Sequence, residues 1–360
     1  MTTATTLTVA STAGLADDDH EQVLITQDPR TGMRLIVAVH STALGPALGG
    51  MRLKRYAGGL REALEDVLAL SRTMTLKASA AGLELGGGKA VMLDDGRRDL
   101  RQARLEAAAG VIESLAGAYV TAEDIGTTTA DMDLIARHTR FVVGRSVERG
   151  GGGDPSPVTA ETVFRALRRG LDHATGSDGV DGRRVGLVGL GKVGGALAAR
   201  LAGAGARVIA CDLDVQRAER LADEHGLELA RSAEAIMGME LDVLCPCAAG
   251  GLIDEALAGS IECSVVAGAA NNPLTSRAVA GALANRGILY VPDFLANCGG
   301  LIHVAREWYG DRGPGEQHCI ERAMERLDDA IAAAEASDLT PHELAERQAL
   351  ARVQRARGAA

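Results

Sequence analysis

Two lysines twelve positions apart (89 − 77) stand in a stretch with almost no other charge, and they are the side chains here best suited to proton chemistry. The stretch from Met74 to Lys89 ends in Leu85-Gly86-Gly87-Gly88-Lys89 and holds only Glu84 as a further charged residue. Both ammonium groups are expected to face one poorly solvated cavity. Burial and a neighbouring cation each disfavour a protonated amine, and this is the setting in which an amine serves as a general base. The competing expectation is a pair of surface lysines that bury their stems and keep their heads in water. A third candidate, Asp124, closes the run Thr121-Ala122-Glu123-Asp124, where a carboxylate follows a short apolar segment.

The elements that would hold these groups follow from the hydrophobic pattern. Residues 23–26 and 33–40 read as strands joined by a turn at Asp28-Pro29-Arg30-Thr31-Gly32. Leu60, Leu64, Val67, Leu68, Ser71 and Met74 fall at helical spacing, which puts Lys77 just past a core-facing stripe. A strand is expected directly after Lys89, a helix over about 99–117, and a strand over 118–121 that delivers Asp124 to its C-terminal end. Residues 1–20 show no periodicity and read as a frayed arm. Glycine and proline cluster over 150–157, which marks a domain boundary and hinge. Beyond it, strands are expected at 184–188, 207–211, 241–245, 264–268 and 288–291. They alternate with helices, the pattern of a doubly wound parallel sheet. The expected organisation is α/β: residues 1–148 for substrate, catalysis and oligomerisation, 149–325 a Rossmann domain, and 326–360 helices returning to the first domain.

Within that second half, Gly189-Leu190-Gly191-Lys192-Val193-Gly194 follows an apolar strand and opens an alanine-rich helix. In that setting the glycines serve a tight turn, close approach of backbone to a pyrophosphate, and close packing of helix on strand. Asp212 ends the next strand, 18 residues after Gly194 (212 − 194). A carboxylate there accepts hydrogen bonds from ribose hydroxyls and repels a 2′-phosphate, so NAD is expected over NADP. A hydride-transfer enzyme acting on an amino acid needs a fixed cation for the α-carboxylate, a base for the amine, and a titrating carboxylate. Lys77, Lys89 and Asp124 supply that set.

Composition limits the alternatives. With 38 basic and 48 acidic residues the net charge is −10, which argues against nucleic acid or an anionic membrane as partner. No apolar run approaches a membrane span and no signal peptide is visible, so a cytoplasmic enzyme is expected. Six cysteines lie mostly within or beside apolar runs and read as reduced thiols, and Cys245-Pro246-Cys247 lacks zinc spacing, so no metal is expected.

These motifs, with Leu44 to Arg52, Asp154 to Thr159, Asn271-Asn272 and Asn297 to Gly300, resemble the Glu/Leu/Phe/Val dehydrogenases over nearly the whole chain, closest to leucine and valine dehydrogenases. The resemblance implies Lys89 as catalytic lysine, Lys77 as the cation for the substrate carboxylate, and Asp124 as the proton-transfer carboxylate. It implies a substrate pocket of Leu48, Gly49, Gly50, Met74, Ala122, Leu301 and Val304, with Asn271 near both substrate and nicotinamide and Thr159 near the nicotinamide amide. Leucine before Lys77, alanine and serine after it, and Asp154 in place of a common asparagine depart from the family pattern. The reaction implied is reversible oxidative deamination of an L-amino acid to a 2-oxo acid and ammonia by a homo-oligomer. Glutamate enzymes of this family carry lysine where this chain has Leu48, and an apolar side chain does not compensate a buried γ-carboxylate. Leucine is the expected substrate, with valine and isoleucine accepted. Phenylalanine is the alternative, because Ala122 matches aliphatic-specific members and Leu301 aromatic-specific ones. From other classes, an NAD-sensing protein would not need Lys89 or Asp124, and a 2-hydroxy-acid dehydrogenase would want a histidine and arginine site.

Overall fold

Two six-stranded sheets organise the chain. The computed structural model describes residues 5–9, 19–248, 250–310 and 313–359. The described residues divide into two compact units: unit 1 is the chain through Asp154 with Leu301–Gly315 and the residues from Ala349, and unit 2 is Pro155–Gly300 with Glu316–Gln348.

Unit 1 contains β1 (Thr5–Val9), β2 (Gln22–Asp28), β3 (Met33–Ser41), β4 (Ala47–Lys54), β5 (Gly86–Leu93) and β6 (Tyr119–Glu123), in the order β1-β2-β3-β5-β4-β6. Its helices are α1 (Gly59–Ala80), α2 (Arg101–Ser114) and α3 (Thr129–Ile135). β2, β3 and β5 pair antiparallel in turn, whereas β4 runs parallel to both β5 and β6. Two expectations change. The arm expected over 1–20 contains a strand, β1, whose Thr5 stands opposite Gln27 and Val9 opposite Val23; the segment is rich in β-branched residues, which favour strands. The rest of that arm through residue 18 lies outside the described residues. The second change is β4, where Gly49-Gly50 interrupts the alternation by which a strand is recognised. Ala47 to Arg52 is buried without interruption, as a parallel strand covered on both faces should be.

α1 packs its Val67 and Leu68 on Ile36, Ala38, Val91 and Val23 of the sheet. Its expected stripe holds from Val67 onward, while Leu60 is 43% exposed. What lets the helix sit so close is the glycine run of β5. A Cβ on Gly87 would lie 2.0 Å from the backbone nitrogen of Thr75 in α1, and one on Gly88 would lie 2.8 Å from the ring of Tyr119. Lys89 is thus the first side chain on a strand that is bare against the helix.

Unit 2 contains β7 (Arg184–Val188), β8 (Arg207–Cys211), β9 (Glu228–Leu229), β10 (Val243–Pro246), β11 (Val265–Val266) and β12 (Leu289–Tyr290), all parallel, in the order β12-β11-β10-β7-β8-β9. The helices that follow unit 1's first three are α4 (Ser156–Thr175), α5 (Lys192–Gly203), α6 (Val215–His225), α7 (Ala233–Met237), α8 (Glu255–Ala258), α9 (Arg277–Ala284), α10 (Asp293–Ala296), α11 (Gly299–Tyr309), α12 (Glu316–Glu335) and α13 (Pro341–Ala359). This is the doubly wound arrangement expected from the strand and helix alternation. The order reverses between β7 and β10, and ligands bind outside the carboxyl ends of strands at such a switch point.

Sequence spacing puts 301–315 inside the dinucleotide domain and returns 326–360 to the first, whereas the structure groups Leu301–Gly315 with unit 1 and keeps Glu316–Gln348 with unit 2, so the return begins at Ala349. The physical reason for the first grouping is Glu307, which lies on α11, pairs with Arg145 and accepts from the backbone nitrogens of Gly144, Arg145 and Gly152.

The helix and strand contact makes Gly87→Ala a sharp test of the packing. The added methyl has no room, so thermal unfolding should show destabilisation of roughly 1–3 kcal/mol or more. A melting temperature equal to that of the parent protein would contradict the close approach described here.

Candidate active site

Strand β5 carries Lys89 opposite Ala38 of β3, and β6 ends one residue before Asp124. The turn after β6 is tied to β4 by Thr127, whose hydroxyl donates to the Met51 carbonyl at 2.9 Å and accepts from the Asp124 nitrogen at 2.9 Å. The result is an ion pair of 2.6 Å between Lys89 Nζ and Asp124 Oδ2. Arg52 of β4 approaches the same oxygen with Nε at 3.4 Å and meets Asp66 of α1 with Nη1 at 3.0 Å. Tyr56 donates its hydroxyl to Asp66 at 2.5 Å. Lys89 is 6% exposed and Arg52 8%, so the chain Asp66–Arg52–Asp124–Lys89 is largely shielded from water. Its two cations and two carboxylates sum to zero.

Burial by itself pushes the Asp124 carboxyl up. Lys89 and then Arg52, with the Ile125 nitrogen at 2.7 Å, more than offset it and hold the group down at about 2. Asp124 is therefore an anion at neutral pH, fixed in place as a partner for a proton-carrying amine.

Lys77 lies in the last turn of α1 and is 7% exposed, which excludes the solvated-surface reading for it and for Lys89. Met74 is on the same helix, and its Cγ would lie 3.4 Å from a Cβ on Gly49. A Cβ on Gly49 would lie 1.7 Å from the Gly88 carbonyl, and one on Gly50 2.6 Å from the Glu123 carbonyl and 2.8 Å from the Cβ of Asp124, so the two glycines let β4 lie close to β5 and to the Asp124 turn. Tyr119, fully buried, donates to the Gly49 carbonyl at 2.6 Å and fixes that backbone. The expected pocket residues Leu48, Ala122, Leu301 and Val304 are all buried, and all belong to unit 1. Ala122 pairs with Gly50 across β4 and β6. A Cβ on Gly144 would lie 3.9 Å from Val304 and 3.8 Å from the Glu123 nitrogen, which sets Val304 near the end of β6.

Arg52, Asp66, Tyr56 and Thr127 carry no motif that singles them out in the sequence. A charged residue inside the otherwise apolar Ala47 to Leu53 is the available signal for Arg52; only the fold reveals its partners.

In unit 2 the glycine loop joins β7 to α5. Gly189 has φ +101°, and a Cβ on Gly194 would lie 2.0 Å from the Gly189 carbonyl, so both are required by the turn itself. A Cβ on Gly191 would meet open space, with nothing within 4 Å beyond its chain neighbours and its own helix. That leaves the Gly191 backbone open to an approaching diphosphate at the helix N-terminus. Leu190, Lys192 and Val193 complete the loop and the start of α5. Asp212 accepts from the Leu190 nitrogen at 2.6 Å and pairs with Arg217 at 2.8 Å. Burial raises its carboxyl, and the Asp214 backbone bond, Arg217 and the Leu190 bond outweigh that and lower it. These residues fit a dinucleotide. Thr159 donates to the Pro155 carbonyl at 3.0 Å from the first turns of α4, and the side-chain oxygen of Asn271 accepts from Asn297 at 3.1 Å. Among the described residues, no group of three or more histidine, cysteine, aspartate or glutamate side chains is placed to hold a metal ion.

The depressed carboxyl of Asp124 has a pH signature. A folded value below the unfolded one contributes stability above about pH 4, and the contribution is lost as pH falls toward 2. Asp124→Asn leaves Lys89 and Arg52 without their shared anion, a loss of roughly 3–5 kcal/mol for a broken buried pair. The gap in melting temperature between parent and variant should be widest above pH 5 and narrow as pH falls. A gap independent of pH would show that the Asp124 charge does not hold the network.

Residues 20–141 match the Glu/Leu/Phe/Val dehydrogenase dimerisation domain, and residues 214–359 match the Glutamate/Leucine/Phenylalanine/Valine dehydrogenase domain. Residues 160–262 also match the NAD binding domain of D-isomer specific 2-hydroxyacid dehydrogenases. The leucine dehydrogenase of Geobacillus stearothermophilus is 40% identical over 95% of this chain and 92% of its own. The valine dehydrogenase of Streptomyces virginiae is 43% identical over 87% of each chain. The solved structure of L-tryptophan dehydrogenase from Nostoc punctiforme superposes with a TM-score of 0.77 at 31% identity, covering 94% of this chain and 97% of that one. With both halves matched by the family's domains and relatives 40–43% identical over most of its length, this chain belongs to the Glu/Leu/Phe/Val dehydrogenase family.

Proposed function

We propose that the protein catalyses the NAD-dependent, reversible oxidative deamination of an apolar L-amino acid, leucine first, with valine and isoleucine accepted. The observation that carries the reading is the 2.6 Å pair of Lys89 and Asp124, buried in a unit that also supplies Lys77 and an apolar set of pocket residues. Bound NAD supplies the hydride acceptor. Lys77 holds the substrate carboxylate, and Lys89, once it has released its own proton, takes one from the substrate ammonium. As the Cα hydride leaves, the nitrogen lone pair makes the Cα–N bond that of an iminium. Water adds at Cα to give a carbinolamine, and Lys89 with Asp124 moves a proton from the added oxygen to nitrogen until the C–N bond breaks. Ammonia and the 2-oxo acid remain.

Glutamate is disfavoured because Leu48, Ala122, Leu301 and Val304 offer no cation to a side-chain carboxylate, and leucine is favoured over phenylalanine because the Ala122 methyl narrows the pocket. Asp212 supports NAD over NADP. The relatives named for leucine and valine support the substrate class, and the description of the N-terminal match as a dimerisation domain supports a homo-oligomer. Among the described residues no helix is long and apolar enough to cross a membrane, and with the acidic charge balance this supports action in the cytoplasm.

The test is NADH formation from a panel of L-amino acids, with NADP as the control cofactor. Leucine should give the highest kcat/KM, glutamate none that is measurable, and NADP far less turnover than NAD. Ala122→Gly widens the pocket by one methyl and should shift the leucine-to-phenylalanine ratio toward phenylalanine by about ten- to two-hundredfold. A parent enzyme that prefers phenylalanine would leave the leucine reading wrong, and a ratio unmoved by the substitution would show that Leu301 or other residues set the pocket instead of Ala122.

A further inference from the structure

The last turn of a helix has carbonyls with no partner inside the helix, and in α1 that turn carries Lys77. Three of them are satisfied locally, by the Ala81 nitrogen on the Lys77 carbonyl, the Leu83 nitrogen on the Ala78 carbonyl and the Gly82 nitrogen on the Ser79 carbonyl. Further bonds to this segment come from the far end of the chain. Arg352 Nη1, on α13, donates to the Leu83 carbonyl at 2.8 Å and to the Ser79 carbonyl at 3.3 Å. Ser79 Oγ in turn donates to the Ala349 carbonyl at 2.8 Å. Ser79, Ala349 and Val353 are buried, so the clamp is packed as well as bonded. All of these residues lie in unit 1.

We propose that Arg352 is a positioning residue for amino-acid binding: one guanidinium nitrogen pins the 79–83 segment and through it the turn of α1 that presents Lys77. A cation at a helix C-terminus also opposes the negative end of the helix dipole, which adds to the hold on that turn. Lys89 stands outside this dependence, because its place is set by the pairing of β5 and by Asp124. Loss of the clamp therefore weakens substrate binding more than it slows proton transfer. The dinucleotide loop belongs to unit 2 and keeps its own contacts. The proposal rests on the assignment of Lys77 to the substrate carboxylate.

The two bonds come from a single nitrogen, so a lysine, with three donors on one nitrogen, can replace them, whereas a methionine of similar bulk cannot. The experiment compares Arg352→Met, Arg352→Lys and Lys77→Ala for the KM of L-leucine, kcat at saturating NAD, and NADH affinity by fluorescence. Arg352→Met should raise the KM by about tenfold, with kcat within about threefold of the parent. Arg352→Lys should recover most of that KM, and NADH affinity should not change in either. Ser79→Ala removes the other half of the clamp and should raise KM in the same direction, which keeps the test available if the methionine variant does not fold. An unchanged KM in Arg352→Met or in Ser79→Ala, beside a raised one in Lys77→Ala, would overturn the proposal alone. Equal effects of methionine and lysine at 352 would overturn it as well, since a donor would then not matter. An unchanged KM in Lys77→Ala would remove the carboxylate assignment and the proposal together.

Discussion

A buried ammonium, guanidinium and two carboxylates must neutralise one another inside an apolar sheet, and the rest of unit 1 is arranged to let them do so. Taking any one of these charges out of water costs several kcal/mol, which is recovered only if its partners stand at contact distance. Asp124 lies between Lys89 and Arg52, and Arg52 is held from its other side by Asp66. Each contact comes from a different element: β5, β4, α1 and the turn after β6. Secondary structure alone therefore does not form the site. The pairing of β4 with both β5 and β6 has to be complete before the charges meet.

The glycines serve the same constraint. Gly87 allows α1 to lie on β5 at backbone distance at Thr75, while Gly86 and Gly88 make room for the Ser41 backbone and the Tyr119 ring. Gly49 lets β4 approach the Gly88 carbonyl of β5, and Gly50 lets it approach Glu123 and Asp124. Side chains at these positions would collide with backbone atoms, which do not yield as flexible side chains do. In the second unit the same principle recurs with a different purpose. There the glycine loop is tight at Gly189 and Gly194 and open at Gly191, where a diphosphate would approach.

Much of this is legible in the sequence because it depends on local spacing. The lysine pair, the acidic turn at Asp124 and the strand, glycine loop, helix and Asp212 series are each readable within about thirty residues, the scale of one βαβ unit. What is not legible depends on pairing at long range. β4 escapes a reading of the sequence because two glycines erase its alternation, and Arg52 and Asp66 because neither position announces the other. Leu301–Gly315 falls to the wrong unit on sequence spacing, since its anchor Glu307 binds backbone nitrogens that have no sequence signature. The neighbour expected for Lys89 is another ammonium group, and the structure sets the Asp124 carboxylate at 2.6 Å. In the proposed function a lysine in that position has two tasks, to complete the neutral network and to carry a proton.

Those two tasks can be separated by one substitution. Lys89→Arg keeps a positive charge for Asp124, but a guanidinium stays protonated at any working pH and cannot take a proton from the substrate. The measurement is the turnover of L-leucine by Lys89→Arg alongside its melting temperature and NADH affinity. The account predicts a folded protein that binds NADH like the parent and turns over at least about a hundredfold more slowly, the usual scale for a lost positioned base. A Lys89→Arg variant with turnover within about tenfold of the parent would contradict the assignment of Lys89 as the base.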